Sequence, residues 1–400
     1  MLSGFKNSRA RMLAGISLIL MTGCATAPHL LPAPLARADA AVQQFIDAGQ
    51  MPGGVLWIQR GSASHHRAFG MQSAGGSDAV TEDTVFDAAS LTKPVVTATL
   101  VQILRERGLL EMDAPVSRYL PTCANLSSAT TLRHLLTHSS GLPSGLPASD
   151  EFKQGPEPAS VAMPQSERDA KIAHAIERAC AQKVDEPGKQ FRYSDLNFIL
   201  LGEIVARVSG KPLQELARTE IFEPLGMTHS GYLPTEDKSH IAPTHKPTEH
   251  WERGAVHDPT ARRMGGVAGH AGLFTTAGDL ARFARMLLND GVSESGRRLL
   301  SHESIALLET PQSPPGVPDL RSLGWDVATA YSRPRGALYP AGKSFGHTGF
   351  TGCAFWLDPG SRSFFILLAN RVNMPQGTNT LPLYSELGTL AAESAGLVKP

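Results

Sequence analysis

Beyond its first two dozen residues this 400-residue chain carries no long apolar run, and the one present, residues 12–21, is too short for a permanent transmembrane helix. An excess of one charge is missing as well: 37 Lys and Arg balance 37 Asp and Glu, so the chain lacks the electrostatic footprint of a nucleic-acid binder. Cysteine is scarce, with four in the chain and none spaced as Cys-x-x-Cys. The 14 histidines are scattered, so no metal site is expected. No repeat of solenoid or propeller period is visible. What is present is a composition 42% hydrophobic, enough for one large core or two smaller ones in a globular protein.

Lys6, Arg9 and Arg11 precede the apolar stretch, and Thr22-Gly23-Cys24 follows it, which is the layout of an export signal. Leu20-Met21-Thr22-Gly23-Cys24 resembles a bacterial lipobox, with Met21 where leucine is usual. That resemblance implies lipidation of Cys24, and Ala25 after it resembles the pattern for sorting to the outer membrane. Ala25-Thr26-Ala27 offers the other reading, a small-residue cleavage site with no lipid. The favoured expectation is a periplasmic lipoprotein anchored to the outer membrane. Setting Cys24 aside leaves Cys123, Cys180 and Cys353, an odd number for an oxidising compartment. One disulfide can form among them. Cys123 with Cys180 is the favoured pair, since Cys353 falls in a strand pattern and reads as a small buried hydrophobe.

The proline-rich stretch from Pro28 to Pro34 suits a tether to a membrane surface, and helical spacing begins near Ala40 with Val42, Phe45 and Ile46. We therefore expect an export signal over residues 1–24, a tether over 25–39 and one folded domain over 40–396. Residues 54–59, the turn around Gly61 and residues 64–69 read as an antiparallel hairpin, and so do residues 353–357 and 364–368 around Asp358-Pro359-Gly360-Ser361. Between them lie helical segments at 132–138, 171–180, 196–208 and 280–288, separated by loops rich in glycine and proline. The simplest assembly is a mixed α/β (α+β) fold, with one antiparallel sheet built from both chain ends, flanked by helices, and a helical region inserted between. Residues 141–165 show the weakest regular pattern and are long enough for a mobile lid or specificity loop.

The run Phe86-Asp87-Ala88-Ala89-Ser90-Leu91-Thr92-Lys93-Pro94 places a serine and a lysine three residues apart at the start of a long apolar helix. Residues three apart share a helix face, so Lys93 can lie beside the Ser90 hydroxyl, while the free N–H groups of the helix start favour negative charge there. Ser-x-x-Lys alone is weak, as its chance recurrence from Ser3 to Lys6 demonstrates. Two later segments supply partners. Gln190-Phe191-Arg192-Tyr193-Ser194-Asp195 leads into a helix, and a phenol beside a lysine ammonium can lose its proton and serve as a base; the plainer reading is a core tyrosine and an N-cap aspartate. Phe345-Gly346-His347-Thr348-Gly349-Phe350 enters the last hairpin, where glycines let a backbone edge approach a ligand, unless this is an ordinary glycine-rich turn.

Taken in order, Ser90-x-x-Lys93, Tyr193-x-Asp195 and His347-Thr348-Gly349 resemble the penicillin-binding serine hydrolases of the class C β-lactamase family. Leu135-Leu136-Thr137-His138-Ser139-Ser140-Gly141-Leu142-Pro143 and Leu201-Gly202-Glu203-Ile204-Val205 agree with it. The resemblance spans nearly the whole mature chain and implies a β-lactamase-like fold. It assigns Ser90 as the acyl-accepting nucleophile, Lys93 as its helper in deprotonation and Tyr193 as the acid/base. Backbone N–H groups of Ser90 and Phe350 would form the oxyanion hole, and Asp195, His347, Thr348, Gly349 and Phe350 would contact substrate. Tyr-Ser-Asp, His-Thr-Gly and the glycine-rich stretch through Gly265-Gly266-Val267-Ala268-Gly269-His270-Ala271-Gly272 resemble a branch with cell-wall amidases and low-molecular-weight DD-carboxypeptidases. A peptidoglycan or muropeptide substrate follows, with no cofactor, no nucleic acid and no protein partner. An esterase, a weak β-lactamase or a silent wall-binding protein would carry the same constellation.

Two departures from the family pattern bear on mechanism. Asp195 stands where asparagine is usual, and an aspartate near Lys93 favours the charged ammonium, which shifts the base role toward Tyr193. His347 stands where lysine is common and carries less positive charge at neutral pH, which weakens a grip on a substrate carboxylate. Val256-His257-Asp258 and the glycine-rich stretch after it are expected to line the cleft. His257, Asp258 and His270 are possible metal ligands in principle but lack clustered spacing.

Overall fold

The computed structural model describes residues 29–123, 126, 129–155, 163–234, 237–246, 250–374 and 378–399. The expected export signal and Cys24 lie outside these residues, as do the start of the expected tether and the middle of the 141–165 loop. In chain order the strands are β1 (Gly53–Arg60), β2 (Ala63–Gly70), β3 (Phe86–Asp87), β4 (Phe274–Thr275), β5 (Leu320–Arg321), β6 (Asp326–Ala328), β7 (Phe345–Gly349), β8 (Cys353–Asp358) and β9 (Ser363–Ala369). Seven form one antiparallel sheet in the order β2-β1-β9-β8-β7-β6-β5, while β3 pairs with β4. The N-terminal hairpin therefore docks onto the last strand of the chain, with Trp57 opposite Ile366.

Side chains alternate across a strand, and here both faces are covered. From β9, Phe364, Ile366 and Leu368 enter the core beneath the inserted helical region, whereas Phe365, Leu367 and Ala369 enter a second core beneath the helices Pro32–Asp47 and Leu381–Ser394. This is the β-lactamase-like architecture expected from the sequence: a sheet from both chain ends with helices inserted between. Cys123 and Cys180 form the disulfide, and Cys353 is buried in β8.

Two expectations need correction, and the 141–165 segment, irregular as expected, has one local anchor. Residues 32–39 are not tether: Pro32 and Pro34 occupy the first turn of the Pro32–Asp47 helix, where a missing N–H costs nothing. Ala38 and Val42 of that helix are buried, the Leu31 N–H donates to the Ser394 carbonyl at 2.8 Å, and Arg37 pairs with Glu393. The helix expected over 132–138 stops at Leu136, and His138 takes φ +56, so His134 and His138 point to different neighbours despite their four-residue spacing. Within 141–165, residues Glu151–Gln154 form a single helical turn capped by Asp150, whose other oxygen binds Arg178 at 2.8 Å and ties the segment to the Gln165–Cys180 helix.

Candidate active site

Ser90 does not begin a regular α-helix. Ala89–Leu91 is a 3₁₀ turn, Lys93–Ala98 is a wide π-helical segment, and only Thr99–Glu106 is α. Pro94 has no N–H to carry the ladder through the first turn, and wide turns of this kind recur at functional sites. Ala89 holds φ +48, a left-handed conformation rare for a residue with a Cβ. Strand β7 closes on this turn so tightly that a Cβ at Gly349 would lie 2.5 Å from the Ala88 carbonyl oxygen, which is why glycine stands there.

Lys93 is completely buried, and each of its three ammonium protons has an acceptor: Ser90 Oγ at 2.8 Å, Asp195 Oδ1 at 2.9 Å and the His270 carbonyl at 3.1 Å. Burial pushes its pKa down, but Asp195 and Tyr193 outweigh burial and raise it above 10.5. Two close approaches build this environment. Gly269 packs against Gly202 of the Asp195–Ser209 helix, where a Cβ would meet the Phe198 carbonyl at 2.1 Å, and Thr97 donates to the Gly269 carbonyl at 2.6 Å. Residues 265–273 thus lie behind Lys93 instead of lining the cleft as expected.

Tyr193 stands beside this pair, with Lys93 Nζ 5.0 Å from its ring centre. Two residues that the sequence analysis did not assign to the site hold it. The His138 ring lies tilted against the Tyr193 ring at 4.4 Å, and its Nδ1 accepts from the Ser194 N–H and the Asn197 amide at 3.1 Å each, which leaves the proton on Nε2. Arg321, buried beside Asp326, places its guanidinium 6.0 Å from the same ring. The Leu-Leu-Thr-His-Ser-Ser-Gly motif hinted at His138; Arg321 stands in coil-like sequence and gave no signal.

A cleft of about 490 Å³ opens over Ser90 and is lined by Tyr193, Arg321, Tyr331, His347, Thr348 and Phe350 among others. His347 is nearly buried, and its Nδ1 pairs with the Thr348 carbonyl at 2.8 Å. Burial, with Arg321 and Lys93 nearby, holds its pKa well below 6.5, so it is neutral at physiological pH. The mouth is apolar in part: Phe350 is 61% exposed and Tyr331 49%. Phe350 is flanked by the His257 ring at 5.3 Å and the Arg371 guanidinium at 4.4 Å.

Of the three residues considered as metal ligands, Asp258 and His270 do meet, and Asp195 joins them with ligand atoms within 4.8 Å of one another. His257 is not part of this group. Asp195 already pairs with Lys93, and Asp258 Oδ1 binds His270 Nε2 at 2.8 Å, so the cluster fits an ion-pair network around an ammonium better than a ligand set.

A serine bonded to a buried lysine, beside a tyrosine and the edge of an antiparallel sheet, defines a class of enzyme. The sequence profile of the Beta-lactamase family matches residues 38–387, and the chain belongs to that family; it is a serine hydrolase of the β-lactamase and penicillin-binding protein type. A protein of Escherichia coli O157:H7 named "Putative D-alanyl-D-alanine carboxypeptidase" is 29% identical over 375 residues, covering 85% of this chain and 83% of that one. EstCE1, a hydrolase with promiscuous acyltransferase activity, has the same fold at TM-score 0.70 and 22% identity, over 90% of this chain and 99% of its own. A penicillin-binding protein homologue from Caulobacter crescentus gives TM-score 0.69 at 21% identity, over 91% and 98%.

Proposed function

We propose that this protein is an exported, lipid-anchored hydrolase that cleaves peptidoglycan or a muropeptide through an acyl-enzyme on Ser90. The observation that carries the reading is Ser90 Oγ held 2.8 Å from the ammonium of a buried Lys93, beside Tyr193 at the floor of an open cleft. With all three of its protons donated, Lys93 stabilises charge on the serine oxygen instead of accepting its proton, and Tyr193 is the base. The Ser90 oxygen bonds to the substrate carbonyl, its proton passes through Tyr193 to the leaving amine as the C–N bond breaks, and Tyr193 then activates the water that releases the acyl group. The Ser90 and Phe350 N–H groups receive the oxyanion, each worth about 10²–10³ in rate. The name of the Escherichia coli relative supports D-alanyl-D-alanine termini as substrate, and amide cleavage nearer the sugar is the other peptidoglycan outcome. With His347 neutral, positive charge facing the cleft comes from Arg321 and Arg371.

Mass spectrometry of muropeptides digested by the wild type and by Ser90→Ala tests the reading. Loss of a terminal D-alanine or of a whole peptide, absent with the variant, is expected; intact muropeptides with both proteins would reject it. The exposed Phe350 and Tyr331 and the neutral His347 favour a second reading, an esterase for neutral apolar acyl groups, which a p-nitrophenyl ester series in the same assay would reveal. Incorporation of labelled palmitate by the wild type but not by Cys24→Ser is expected of the lipid anchor.

A further inference from the structure

Asp87 lies just before the nucleophile turn and is fully buried, yet the chemistry above does not use it. Each oxygen of its carboxylate accepts one backbone amide: Oδ1 takes the Ala89 N–H at 2.8 Å, and Oδ2 takes the His257 N–H at 2.7 Å. The first bond fixes the residue with φ +48 next to Ser90. The second fixes the loop whose next residue, Asp258, binds His270 at 2.8 Å. Because the His270 carbonyl accepts from Lys93 at 3.1 Å and Lys93 donates to Ser90 at 2.8 Å, the bonds close a circuit around the nucleophile. Asp87 is the member that joins its two halves.

We propose that Asp87 is a positioning residue, whose ionised carboxylate keeps the Ser90 turn and the 257–270 segment in register so that Ser90 and Lys93 stay aligned. The proposal rests on Ser90 being the nucleophile. A carboxylate only accepts, so it can satisfy two amides at once; a protonated carboxyl turns one oxygen into a hydroxyl, a donor and a much poorer acceptor, so one of the two bonds is weakened. The surroundings make that event accessible. Burial raises the Asp87 pKa from 3.8 to about 6 against the pull of the two amides, while Asp258 pushes it further up and Arg262 pulls it down. From the sheet side, the Thr351 hydroxyl and the Cys353 thiol reach the Asp87 backbone carbonyl.

The sign of the linkage separates this role from a structural one. A carboxyl whose folded pKa is raised contributes stability that is full below pH 3.8 and lost as pH rises through about 6, so the charged form at neutral pH works against the fold. Removing the charge should therefore cost activity without costing stability.

The test compares the wild type with Asp87→Asn, using a neutral fluorophosphonate as probe from pH 4.5 to 9 and thermal melting at pH 7.5. The wild-type labelling rate should fall at least tenfold below an inflection near pH 6. Asp87→Asn should label at least tenfold more slowly at pH 7.5, show no inflection there, and melt no lower than the wild type. A variant that labels at the wild-type rate, keeps the inflection, or loses rate only alongside a lowered melting temperature overturns the proposal. Equal labelling of the wild type and Ser90→Ala would instead remove the serine reading. Amide exchange then still decides on Asp87: protection of the Ala89 and His257 amides, corrected for intrinsic rates, should be present at pH 7.5 and reduced for one of them at pH 5, and unchanged protection contradicts it.

Discussion

Lys93 and His347 are both basic side chains, both buried, and both next to Tyr193, with Lys93 Nζ 5.0 Å and the His347 ring 5.9 Å from the tyrosine ring centre. Burial pushes the pKa of each downward. Lys93 nevertheless stays charged because a carboxylate lies 2.9 Å away, whereas His347 has a single backbone carbonyl and two cations for neighbours and is left neutral. Burial acts in the same direction on both groups; at Lys93 the partners outweigh it, and at His347 nothing does. The consequence is a charged floor behind the serine and a neutral His347 in front of it, which in the proposed mechanism separates handling of the nucleophile from the grip on substrate.

That contrast can be broken at several points. Tyr193→Phe removes the proposed base between the two regions and should lower turnover by about 10²–10⁴, the range of a positioned acid/base, with substrate KM little changed. Asp195→Asn takes the carboxylate from Lys93. Steady-state kinetics should show turnover falling by roughly tenfold as Lys93 loses its electrostatic partner, and the basic limb of the pH profile should move to lower pH. In melting experiments the same variant should lose about 2 kcal/mol, less than the ~3–5 of a fully buried pair because Asp195 is 27% exposed. The raised pKa of Lys93 fixes the pH window of that loss: the contribution is complete below 10.5 and disappears as pH rises through the folded value, so wild type and variant should differ equally at pH 7 and pH 9. His347→Lys, the smallest change, adds charge in front of the serine. It should alter turnover less than tenfold but lower KM for substrates with a free carboxylate, by an amount that shrinks with added salt.

The parts of this arrangement that the sequence disclosed are local in the chain. Both hairpins follow from alternation over a few residues, and the Ser90, Tyr193 and His347 motifs each combine chemistry with a visible helix or strand entry. Even the protonation of Lys93 was readable, because Asp195 stands where asparagine is usual. What escaped notice depends on distant packing. Arg321 is an isolated arginine until β5 and β6 set it over Tyr193, and the neutrality of His347 depends on a burial no motif encodes. The glycine-rich 265–273 segment was expected along the cleft; its glycines instead allow close packing on the Asp195–Ser209 helix, which carries the His270 carbonyl to the back of Lys93. The first eight residues of the Pro32–Asp47 helix were hidden because their prolines suggest a tether in isolation and act as a helix start only when a sheet face waits to be covered.

The central claim, a charged floor that activates Ser90 and a neutral His347 that does not, is tested most directly by one pair of labelling rates. A neutral fluorophosphonate reports on the serine without asking for substrate recognition. Lys93→Ala should react at least about 10³ times more slowly than the wild type, in line with losing the group that activates a nucleophile, and His347→Ala should stay within about tenfold of it. Equal losses in the two variants, or a larger loss for His347→Ala, would contradict the account.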